Sequence, residues 1–81
     1  MNKFEQIKQY IEAGLNVDFK IGDCWRRATS IQNNRIVTVS TEKNRKDLDN
    51  SNYSSSWNEQ ELSDVTEIIS VIKFIKHLPK N

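Results

Sequence analysis

Two turn signals, Gly22-Asp23 and Asn33-Asn34, separate three short runs rich in β-branched and aromatic residues, and they oblige the middle of this chain to fold back on itself twice. Ahead of the first turn, Val17, Phe19 and Ile21 alternate with Asn16, Asp18, Lys20 and Gly22, the period-2 pattern of a strand with one apolar face. Gly22 at the first central position suits a type II′ turn. The chain should then run out again from Cys24 to Ile31, with Trp25, Arg27, Thr29 and Ile31 on one face and Cys24, Arg26, Ala28 and Ser30 on the other. Asn33-Asn34 tolerates positive φ and closes a second hairpin onto Arg35-Ile36-Val37-Thr38-Val39-Ser40. The outcome is an antiparallel meander of three strands whose apolar face needs a cover.

The cover comes from the N-terminal segment. Phe4, Ile7 and Ile11 recur at helical spacing among Lys3, Glu5, Lys8, Gln9 and Glu12, which predicts an amphipathic helix over residues 3–13. Asn2 and Glu5 have capping-box spacing, and Gly14 supplies a left-handed stop. The last segment has two readings. Asn58 and Glu61 form a second capping-box pair, and Leu62, Val65, Ile69 and Ile72 fit one helix over 59–76. Yet Val65, Thr66, Ile68, Ile69, Val71, Ile72 and Ile75 are all β-branched, and stiff side chains at that density favour a pleated sheet. This favours a helical turn over 59–64 followed by a buried strand over 66–75, with Pro79 ending either element.

Residues 41–58 hold only three large apolar side chains, Leu48, Tyr53 and Trp57, and read as a long polar loop. The expected fold is therefore α+β: one domain over residues 1–81, with an N-terminal helix packed on a three- to four-stranded antiparallel sheet, a long polar loop, and a C-terminal strand or helix.

Composition narrows the function. With 81 residues of which 36% are apolar, the chain has material for one modest core. Its single Cys24 and single His77 exclude a disulfide framework, a tetrahedral zinc site within one chain and an iron–sulfur cluster, so neither metal nor cofactor is expected. The charged N-terminus and the short apolar run from Ile68 to Ile72 fit neither a signal peptide nor a membrane span, and the lone thiol agrees with a reducing, cytoplasmic location. No nucleophile motif surrounds Cys24 or His77, Asp47/Asp49 and Glu59/Glu61 read as solvated carboxylates, and two glycines make no phosphate-cradling loop. A non-enzymatic role is expected.

Net charge is only +1, but the charges lie in blocks: residues 26–46 sum to +5 and residues 47–67 to −6. The blocks either neutralise each other across the folded surface or present a footprint to a charged partner. Tyr53 and Trp57, with Lys43, Arg45 and Lys46 on one side and Asp47, Asp49, Glu59 and Glu61 on the other, have the aromatic-anchor and charged-rim make-up of a protein interface. Trp57 is the first anchor in that reading, and its competing role is to pack back onto the core. The alternative partner is nucleic acid, held by Trp25, Arg27, Arg35, Lys43, Arg45 and Lys46. The low net charge weighs against general DNA binding.

From Phe4 to Trp25, the helix, the Gly14 stop, the alternating Val17-Asp18-Phe19-Lys20-Ile21, the tight Gly22-Asp23 turn and Trp25 resemble the start of many small phage- or prophage-encoded accessory proteins. Size and an Asn/Ser/Lys-rich composition are also similar to those of anti-defence inhibitors carried by mobile elements, including anti-CRISPR proteins. The resemblance covers the N-terminal third and carries over no site residue. It implies a non-enzymatic inhibitor that binds a host or competitor complex. The expected function is stoichiometric binding and inhibition of a protein or ribonucleoprotein partner through the 43–61 loop and the exposed sheet edge, by a monomer or, through an edge strand or Cys24, a homodimer.

Overall fold

A computed structural model describes residues 2–72 of the chain. The first helix, α1 (Lys3–Glu12), forms where the apolar spacing places it and buries Phe4 and Ile7. Asn2 caps it by accepting the Glu5 N–H at 2.8 Å, while the Asn2 amide donates to Glu59, which ties the helix start to a segment 57 residues on. Gly14, at φ 89°, turns the chain into β1 (Leu15–Ile21).

Both hairpins close as the sequence requires. Ile21 pairs with Cys24 across Gly22-Asp23, and of the two turn residues only Gly22 has positive φ, at 60°, as a II′ turn demands. β2 (Cys24–Gln32) then returns to β3 (Arg35–Glu42) through Asn33 and Asn34, whose φ of 52° and 60° match the mirror-image type I′ turn.

The sheet has five strands in the order β4-β3-β2-β1-β5, all paired antiparallel, rather than three or four. The extra strand, β4 (Ser55–Trp57), comes out of the expected loop. It forms because Trp57 sits opposite Ile36 on β3, where the indole reaches the core that a solvated loop would have left open. The rest of that segment is also more structured than expected: a 3-10 turn, Arg45–Asn50, buries Leu48.

The last described strand, β5 (Glu67–Ile72), follows a second 3-10 turn, Glu61–Asp64, and pairs with β1. Strand therefore prevails over helix in this segment. The capping-box pair is real but serves the short turn: Asn58 N–H donates to Glu61 and Glu61 N–H donates to Asn58, each at 2.8 Å. The expectation of a buried strand fails, because β5 is an edge strand whose Ile68 and Ile69 are only half-buried and whose Ser70 is exposed. Residues 73–75 of that expected strand, and His77 and Pro79, lie outside the described residues.

The register of β2 against β3 shifts between Arg27 and Ala28 and again between Ala28 and Ser30. These bulges overturn the simple alternation expected of β2. Trp25 and Arg27 do share a face, but Ile31 lies with Ala28 on the opposite one, beside Ile36 and the core. The core forms between α1, the second 3-10 turn and this face, from Phe4, Ile7, Val17, Phe19, Ala28, Ile36, Leu62 and Val65. Among the described residues no helix is long and apolar enough to cross a membrane.

Candidate functional site

At the open end of the β2–β3 pair, an irregular stretch of chain crosses the sheet edge and leaves a cleft of about 570 Å³ lined by Arg26, Thr41, Glu42, Asn50 to Tyr53, Ser55 and Trp57. Its position follows from the register: Arg26 pairs with Thr41 and with Phe19, so its side chain emerges on the core face, beyond the last covered apolar position. There Nη1 donates to the carbonyls of Ile21 and Cys24 at 3.0 and 3.1 Å, and the guanidinium carbon lies 4.8 Å from the centroid of the Trp57 ring. Arg26 has no carboxylate partner among the described residues.

The Trp57 indole has two roles. It meets Phe19 edge-on with centroids 6.2 Å apart, and Nε1 donates to the buried Thr38 hydroxyl at 3.1 Å, so one side of the ring belongs to the core. The ring also lines the cleft beneath Arg26.

The opposite wall is pinned by serines. Ser51 Oγ accepts the Thr41 N–H and donates to the Thr41 carbonyl, both at 3.3 Å, and the Ser40 hydroxyl donates to Ser51 O at 3.2 Å. One side chain thus satisfies the strand edge of β3 past the end of β4. Tyr53 N–H donates to Val39 O at 3.2 Å, which fixes the backbone while the phenol stays 60% exposed on the rim. Thr41 Oγ1 is buried and has no hydrogen-bond partner among the described residues.

A second cluster occupies the other face of the sheet. Asp18, fully buried in the middle of β1, accepts from Arg27 Nε at 2.8 Å and Nη2 at 3.1 Å, and from Arg45 Nε at 2.7 Å. Arg27 also pairs with Asp49. The hydrogen bond to Asp18 is the main cause that holds Arg27 above its ordinary pKa; desolvation opposes it, and Asp49 adds to it. Trp25 lies nearby, with Lys20 Nζ 5.8 Å and the Arg45 guanidinium 6.0 Å from its ring centroid. Asp18 carries no obvious functional motif, yet the register of a hairpin closed at Gly22-Asp23 places it opposite Arg27.

The residues expected to form one protein interface do not form one surface. Tyr53 and Trp57 share the cleft. Lys43, Arg45, Lys46, Asp47 and Asp49 belong to the 3-10 turn and the stretch just before it, and that turn docks on the Asp18 face. Glu59 and Glu61 lie at and just before the second turn, where Glu59 accepts from the Asn2 side-chain amide and Glu61 pairs with Arg35 at 3.1 Å. Of the residues expected to hold nucleic acid, Trp25, Arg27 and Arg45 come together, Lys43 and Lys46 are exposed beside them, and Arg35 lies apart, bonded to Ser56 and Glu61. Arg26 and Thr41, which sequence reasoning left out of the interface, reach the cleft through their register: Arg26 stands opposite Phe19 on β1, and Thr41 stands opposite Arg26 on β3. The chain matches no protein family, no curated protein and no solved structure with which it was compared.

Proposed function

We propose that the protein is a non-enzymatic binding module that engages a protein partner stoichiometrically through the Arg26–Tyr53–Trp57 cleft. The observation that carries this reading is the convergence on one open cleft of an exposed Tyr, a Trp ring and an Arg stacked on it that has no carboxylate partner among the described residues. These three residue types dominate binding hot spots, because each brings large contact area with a polar group able to pair at the periphery. Thr41 Oγ1, buried and without a partner among the described residues, belongs to a residue of the cleft wall and is a further group that an inserted side chain would satisfy. The inhibitory character and the mobile-element type enter through the resemblance of the N-terminal third alone. The cytoplasmic setting rests on the half-buried free thiol of Cys24, which such a compartment keeps reduced.

The nucleic-acid reading is weaker, since Arg27, Arg35 and Arg45 already pair with Asp18, Asp49 and Glu61 and so offer phosphates less free positive charge. Affinity capture from a bacterial lysate with wild type, Tyr53→Ala and Arg26→Ala distinguishes the two. A protein retained through nuclease and high salt, and held roughly 30-fold less tightly by Tyr53→Ala, is the expected result. Capture of nucleic acid alone, lost with salt and with charge reversal at Arg27, Lys43 and Lys46, overturns it.

A further inference from the structure

Arg26 is held in the cleft by only one of its nitrogens. Nη1 donates to the Ile21 and Cys24 carbonyls at 3.0 and 3.1 Å, and the guanidinium carbon lies 4.8 Å from the centroid of the Trp57 ring. Among the described residues, Nε and Nη2 donate to nothing. No acidic side chain of this sequence is held back to meet them, because all 11 Asp and Glu residues fall within residues 2–72 and none forms an ion pair with Arg26. A guanidinium keeps its charge throughout the physiological pH range, so this pair of donors always belongs to a cation.

The neighbouring arginine shows what such a pair does. Arg27 holds Asp18 through Nε at 2.8 Å and Nη2 at 3.1 Å, one donor to each carboxylate oxygen. Arg26 has the same two donors unspent, and two backbone carbonyls and an indole already fix its plane, so it loses little side-chain freedom when a carboxylate arrives. We propose, on the basis of the binding role put forward above for this cleft, that it recognises an acidic side chain, an Asp or Glu on a short exposed segment of a partner protein, which seats on Nε and Nη2 of Arg26.

The rest of the lining suits an acidic peptide better than another anion. Glu42 lines the same cleft, and a negative group there repels a doubly charged phosphate more than a singly charged carboxylate. Asn50 and Asn52 are exposed along the wall, and each side-chain amide offers the donors and the acceptor that complement a peptide group. Tyr53, exposed on the rim, gives the aliphatic stem of the acid and its neighbours a flat apolar contact. At about 570 Å³ the cleft takes a few residues rather than a broad face, which calls for one acid in a projecting loop or an extended segment.

A random peptide library panned on the whole immobilised chain, with affinities then read by fluorescence anisotropy, tests the proposal. Peptides retained by wild type and lost with Tyr53→Ala should share an Asp or Glu. Changing that residue to its amide should weaken binding roughly 30-fold on wild type and leave binding to Arg26→Gln unchanged. Arg26→Lys, which keeps the charge and loses the paired donors, should recover only part of the affinity, and Glu42→Gln should tighten the acidic peptide about threefold. Circular dichroism melts check that each variant folds; should Arg26→Gln fail to fold, the amide exchange and Glu42→Gln carry the test with Arg26 in place. Cleft-bound peptides without an acid, an amide exchange that costs nothing on wild type or as much on Arg26→Gln, or tighter binding when phosphoserine replaces the acid would overturn the proposal and leave the cleft a protein-binding site. Peptides indifferent to Tyr53→Ala, or no retained peptide, would overturn both.

Discussion

Asp18 is the residue where the fold takes its largest electrostatic risk. A carboxylate buried in the centre of a strand costs several kcal/mol to desolvate, and Arg27 and Arg45 offset that cost with hydrogen bonds of 2.7 to 3.1 Å. Asp18→Asn would leave the two guanidiniums facing an amide and lower stability by about 3 kcal/mol, read from urea unfolding. The pH dependence that Arg27 contributes has one direction. Arg27 has a raised folded-state pKa, so its contribution is complete below the ordinary guanidinium range and is lost only as pH rises through the folded value. Stability between neutral pH and about 10 should therefore show no step that Arg27→Lys removes. The Asp18–Arg27 half of this site is legible in the sequence, since a two-residue turn dictates which residues oppose each other. The Arg45 half is not, because it arrives from a separate turn whose docking depends on where Leu48 finds cover.

At the scale of elements, β4 exists on the strength of one side chain. Trp57 bridges Phe19, Thr38 and Arg26, and without it residues 55–57 would have little reason to leave the solvent. Trp57→Ala should cost about 3 kcal/mol by thermal unfolding, whereas Trp57→Phe should cost about 1 kcal/mol, the loss of the Nε1–H bond to Thr38. That large difference marks a core residue; an interface anchor would leave both melts unchanged. The second hairpin makes a separate case. Asn34 holds a left-handed conformation at φ 60°, and Asn-Gly is the preferred pair for a I′ turn. Asn34→Gly should stabilise the protein by about 0.5 kcal/mol, the relief of that conformation outweighing the added freedom of the unfolded chain.

Across the whole molecule, the charge blocks of the sequence fold onto each other. Arg27 with Asp49 and Arg35 with Glu61 each join a cation of residues 26–46 to an acid of residues 47–67. Much of the apparent footprint for a charged partner is thereby neutralised internally, and Arg26 becomes prominent because it escapes this pairing among the described residues. Protection against hydrogen exchange should follow the strand order. The amides of β1, flanked by β2 and β5, should exchange slowest, and those of β4, held by three residues, much faster.

What the sequence determined by itself is local. Alternation in β1, the glycine and asparagine turns, the helix spacing of Phe4 and Ile7 and the Asn58–Glu61 cap each involve neighbours a few residues apart, where steric limits and period leave few choices. The tertiary structure decided what depends on burial between distant segments: the bulges that turn Ile31 toward the core, the recruitment of Trp57 into a fifth strand and the place of β5 beside β1. It also gathered Arg26, Tyr53 and Trp57 into one cleft. Such choices depend on which surfaces remain uncovered after the meander has formed, and that is a property of the assembled sheet rather than of any run of residues.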